Sequence, residues 1–155
     1  MSTKLLKKKN YLAMIENTAK GENWMFRNFY VEENGKITDI YNNGRWSCAI
    51  LVSSILYLNK LIKDVHANVL SVNKDMEEFG WYEIKELKPG AVLVWEKSVA
   101  MDDSQEHYHI GFYVGDDMAV SNDSRGTGFP HKHHYTSNNT SKIEKIYWHS
   151  ALDED

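Results

Sequence analysis

The chain has a single cysteine in 155 residues, which excludes an internal disulfide and any zinc or iron–sulfur site built on several cysteines. What remains is one free thiol, either buried filler or a reactive group, and its position has to decide which. An excess of positive charge is also missing: 18 Lys and Arg stand against 22 Asp and Glu, a formal charge of -4. Acids and bases are interspersed, so no basic face is evident for a phosphate backbone or an anionic membrane surface, and nucleic acid is not an expected partner. No run of about 18 apolar residues occurs, so no membrane span is expected. The lysine-rich stretch Met1 to Asn10 is followed by Tyr11 to Lys20, which carries Glu16 and Lys20 and lacks the apolar core of a secretory signal. The expected location is therefore cytoplasmic, or reached by a non-classical export route. No internal repeat is visible.

What is present suits one soluble domain over residues 1–155, with 42% hydrophobic and 26% charged residues, expected to be a monomer. Lys4 to Lys20 places Leu5, Tyr11, Leu12 and Ile15 near one helical face, with Gly21 as a stop, which predicts a peripheral first helix. Residues 1–40 as a whole read as a peripheral helical or irregular extension: Trp24 to Tyr41 is aromatic-rich and broken by a turn at Glu33-Asn34-Gly35. From Ser47 the pattern changes. Leu51, Ile55, Leu58 and Ile62 recur at helical spacing, Val52 and Leu56 widen the stripe, and Ser47 is placed to cap a central helix. A shorter helix over Ser71 to Phe79 ends at Gly80.

Sheet is expected from Leu87-Lys88-Pro89-Gly90 onward, beginning with the strand Ala91 to Trp95. After a polar loop, Lys97 to Glu106, the residues His107 to Val114 alternate, Gly115-Asp116-Asp117 turns, and Met118 to Asn122 returns antiparallel. Ser124 to Ser141, rich in Gly, Ser, Asn and His, reads as a surface loop, and Ile143 to Trp148 as a last strand. Helices first and antiparallel strands afterwards predict an α+β fold, with helices packed on one face of an antiparallel sheet.

Cys48 falls in the first turn of the central helix, where free backbone N–H groups and the positive end of the dipole favour a thiolate and lower its pKa. The alternative is a small apolar residue packed against the sheet. A nucleophilic thiol needs a base on a rigid element facing it. In the hairpin strand, His107, His109, Gly111 and Tyr113 share one face, while Tyr108, Ile110, Phe112 and Val114 share the other. His109 is the candidate base, with Gly111 leaving room for a helix end to approach.

Three stretches resemble the NlpC-type and CHAP cell-wall cysteine peptidases: Ser47-Cys48-Ala49 with its apolar helix, Leu87-Lys88-Pro89-Gly90-Ala91-Val92-Leu93-Val94-Trp95, and His109-Ile110-Gly111-Phe112-Tyr113-Val114-Gly115. The resemblance covers about Tyr41 to Asn122 and implies a papain-like domain acting as a thiol protease or amidase on a peptide or a peptidoglycan stem peptide. Ser47 and Ala49 flank the cysteine where these families usually carry Asp or another residue before it and Ser or Gly after it. Tyr41 to Gly44 resembles a shortened form of their Tyr-x-x-Gly motif, which would place Tyr41 near the thiol. Tyr41 and Trp46 are the candidate substrate-binding residues.

In these families the group orienting the histidine comes from the strand after the hairpin, which leaves Ser121 and Asn122. A two-residue turn puts Asn122 on the face of His109, and a three-residue turn with a bulge puts Ser121 there. Asn122, whose carbonyl oxygen accepts from an imidazole N–H, is the chosen third catalytic residue beside Cys48 and His109. The scheme needs no cofactor and no metal. Two rivals remain. His107, His109, His131, His133 and His134 suggest a metal-dependent hydrolase, and a non-catalytic binding module could use Trp46, Trp81 and Trp95 as stacking surfaces.

Overall fold

The computed structural model describes residues 1–99 and 106–153. It is an α+β fold with three helices packed against a six-stranded antiparallel sheet, plus a separate hairpin. The helices are α1 (Lys7–Thr18), α2 (Cys48–Leu58) and α3 (Val69–Phe79). The hairpin is β1 (Tyr30–Glu33) and β2 (Lys36–Asp39), joined by Asn34 and Gly35 at φ 53° and 78°, the left-handed pair that a two-residue Asn-Gly turn favours. The sheet contains β3 (Tyr82–Glu83), β4 (Val92–Val99), β5 (Glu106–Gly115), β6 (Met118–Asn122), β7 (Pro130–His134) and β8 (Ile143–Trp148), in the order β3-β8-β4-β5-β6-β7.

The first helix is less peripheral than its sequence suggests. Tyr11 and Ile15 are fully buried, the Tyr11 hydroxyl donates to the Gly90 carbonyl at 2.8 Å, and its ring meets Phe112 edge-on at 5.9 Å. Leu5, expected on the same stripe, lies outside α1 and is exposed. The helix α2 is apolar on nearly every side, so between Cys48 and Leu56 all but Ile50 and Ser54, which are partly buried, lie in the core. It ends earlier than the spacing predicts: Lys60 turns to φ 56°, and Leu61 and Ile62 enter the core from the following loop. The helix α3 starts on Asn68, whose side chain accepts from the Ser71 N–H at 2.9 Å, and stops at Gly80 with φ 109°.

The Phe112–Tyr11 contact identifies the Ile110 and Phe112 face of the sheet as the helical side. The opposite face carries His109, Gly111 and Trp95; Trp95 is itself buried, and its indole N–H is satisfied by the Tyr135 carbonyl at 2.7 Å. Gly111 makes room for these neighbours and not for a helix end. A Cβ there would stand 2.7 Å from the Ser121 Cβ and 3.0 Å from the Trp95 ring. The polar loop expected over Lys97 to Glu106 is shorter at both ends, since β4 runs to Val99 and β5 starts at Glu106; residues 100–105 lie outside those described. The loop expected over Ser124 to Ser141 contains β7, paired along its length with β6. Pro130 opens this edge strand, where its missing N–H breaks no ladder. Among the described residues no helix is long and apolar enough to cross a membrane.

Candidate active site

Cys48 is the first residue of α2 and is 9% exposed. Ser47 stands at the capping position, but its side chain makes no capping bond, and its hydroxyl is buried without a partner among the described residues. Its φ and ψ of -86° and 4° are not the extended geometry that turns a serine oxygen back onto the first turn. The first-turn amides therefore remain directed at the sulfur. Burial pushes the Cys48 thiol up to about 11, and the N–H groups of Ile110, Ala49 and Cys48 oppose that rise. The lowered pKa expected from the helix end is thus overturned, because desolvation of the thiolate outweighs three amide dipoles.

The Ile110 amide lies beside the sulfur because β5 outruns β6. Pairing between them ends at Gly111 opposite Ser121, and β5 continues back to Glu106. Asp116 and Asp117, at φ 53° and 60°, form a two-residue turn, yet the register also slips between Tyr113 and Gly115. That bulge reverses the parity expected from the turn alone. Ser121, not Asn122, shares the face of His109, and the Ser121 hydroxyl lies 2.9 Å from His109 Nε2. Burial and the neighbouring His133 and His131 rings hold the His109 imidazole down at about 3. Thiol and imidazole are therefore both neutral at rest.

Asn122, expected to orient the histidine, is buried and turned elsewhere. Its side-chain N–H donates to the Gly44 carbonyl and, at 3.0 Å, to the Ser124 hydroxyl, while its Oδ1 has no partner among the described residues. It ties the chain just before Cys48 to the end of β6. Gly44, at φ 87°, lies so close against Gly128 that no side chain fits between them.

Cys48 and His109 line one cleft of about 320 Å³, together with Trp46, Trp95, Ser121 and Asn122. Arg45, Asp123 and Arg125 add charge to its wall. Trp46 is half-buried, and its ring lies against His107 at 4.4 Å between centroids, tilted by 35°. Tyr41 is not on the cleft wall. It is 2% exposed, its hydroxyl lacks a partner among the described residues, and burial together with the nearby Cys48 pushes it up to about 12.

The histidine-rich segment contributes side chains to the cleft that the loop reading missed. His131 and His133 project from β7, stacked on each other at 4.5 Å, and His133 Nε2 lies 2.7 Å from the Ser121 hydroxyl. His134 instead bonds Thr136 through Nδ1 at 2.7 Å. Among the described residues no three His, Cys, Asp or Glu side chains are arranged to hold a metal ion. The sequence singled out His133 only as a candidate metal ligand; its spacing, two residues from His131, is what two side chains on one face of a strand require. No family model matches the chain, and no curated protein matches it.

Proposed function

We propose that this protein is a cysteine-dependent hydrolase of amide bonds with a papain-like architecture, similar to the NlpC-type and CHAP enzymes. Its proposed substrate is a peptidoglycan stem peptide. The observation that carries this reading is the shared cleft: the Cys48 thiol at an uncapped helix start and the His109 imidazole on β5 line one opening of about 320 Å³. As His109 takes the thiol proton, the sulfur attacks the amide carbonyl, and the Cys48 and Ala49 N–H groups face the oxyanion. The protonated imidazole then gives its proton to the leaving amine, and a water deprotonated by His109 cleaves the thioester. In this proposal Trp46 would contact the substrate backbone, and Arg45 and Arg125 of the cleft wall would attract its carboxylates.

Mass spectrometry of purified muropeptides after incubation with the protein tests the assignment. New peptide or amide cleavage is expected. It should disappear in Cys48→Ala and on alkylation, and persist in chelator. Cleavage that survives in Cys48→Ala but stops in chelator would replace this reading by the metal-dependent one. Muropeptide binding with no cleavage by the wild type would leave a binding module.

A further inference from the structure

Two hydrogen bonds in the cleft share one hydroxyl: His109 Nε2 lies 2.9 Å and His133 Nε2 lies 2.7 Å from Ser121 Oγ. A hydroxyl has one proton, so it donates to one ring and accepts from the other. The direction follows from the far end of the chain. His133 Nδ1 lies 2.8 Å from the His134 carbonyl oxygen, which only accepts, so Nδ1 carries the His133 proton. A neutral imidazole has a single N–H, and burial keeps this one neutral. His133 Nε2 is then bare and accepts from Ser121. The Ser121 oxygen in turn accepts from His109 Nε2–H, and His109 Nδ1 keeps its lone pair.

We propose that His133 is a positioning residue: acting through Ser121, it holds His109 in the tautomer whose Nδ1 is free to take a proton. Ser121 alone would not do this, because a rotating hydroxyl serves either tautomer equally well. With its proton committed to His133, it accepts only. His133 is fixed for the task by β7, by the His131 ring and by Trp95, whose ring lies 5.9 Å away. No proton has to travel along the chain; it sets which nitrogen is the base, as the orienting member of a triad does. The consequence for turnover rests on the hydrolase reading, whereas the tautomer assignment rests on geometry alone.

The test is nitrogen-15 NMR of the full chain with labelled histidine at neutral pH. His109 is expected as the Nε2–H tautomer and His133 as the Nδ1–H tautomer; His109 protonated at Nδ1, or His133 at Nε2, overturns the proposal. In His133→Ala the His109 signal should move to a tautomer mixture, and His133→Gln, whose amide oxygen accepts from Ser121, should restore it. On muropeptides, His133→Ala should lower kcat about 10- to 100-fold with little change in KM. The Ser121→Ala/His133→Ala double variant should lose no more than Ser121→Ala alone, since the two act as one unit. Unchanged kcat in His133→Ala, or additive losses, would contradict it. Muropeptide cleavage that persists in Cys48→Ala removes the hydrolase reading and leaves the tautomer result standing.

Discussion

At the scale of single residues, opposing influences meet on the Cys48 sulfur. Three backbone N–H groups favour its anion, and enclosure by the core disfavours it more, leaving the thiol at about 11. A resting thiolate–imidazolium pair is not what this site holds, and in the proposed hydrolysis proton transfer would have to accompany attack. Alkylation reads this directly. At about pH 8 on the order of one molecule in a thousand carries the thiolate, so iodoacetamide should react slowly there. Its rate should climb roughly tenfold per pH unit toward about pH 10. A rate that levels off near neutrality would show a lowered thiol pKa instead. The neighbouring pair Ser121 and Asn122 divides the labour: one hydroxyl faces the imidazole, and one amide fastens the turn before Cys48.

At the scale of elements, β5, β6 and β7 bring His109, His131 and His133 together, each imidazole held below its ordinary value chiefly by burial. Above the ordinary value of 6.5 both folded and unfolded chains leave these rings neutral, so nothing is gained or lost. Below it the unfolded chain takes up protons that the folded rings refuse, so stability falls as pH drops from 6.5 toward 3. The urea midpoint should therefore decline steadily over that interval, ahead of the carboxyls of Asp39 and Asp75, whose lowered values act below 3.8. A midpoint flat down to about pH 4 would contradict the burial of these rings. Much of this layer was readable from pattern. Alternation placed His109 opposite the Ile110 and Phe112 face, and helical spacing located α2 and α3. Two features were not readable. The bulge between Tyr113 and Gly115 leaves no mark in hydrophobic pattern, yet it decides between Ser121 and Asn122. The strand β7 reads Pro-His-Lys-His-His, without apolar alternation, because one of its faces is turned to a polar cleft.

At the scale of the whole molecule, the site depends on contacts between segments far apart in the chain. The side chain of Asn122 reaches Gly44 across 78 positions, the close approach of Gly44 and Gly128 clamps the turn before Cys48, and Tyr11 of α1 anchors Gly90 at the start of β4. Sequence separation of this size is invisible to local pattern, which explains why residues 1–40 read as an extension although Tyr11, Ile15 and Phe26 belong to the core. The proposed function requires that the sulfur at the helix start become acylated. The measurement that tests this most directly is mass spectrometry of the intact protein, acid-quenched during incubation with purified muropeptides and then digested. A stem-peptide acyl adduct on the peptide bearing Cys48, absent from Cys48→Ala, is the expected result; product forming at the same rate in Cys48→Ala, with no adduct on the wild-type sulfur, would contradict the account.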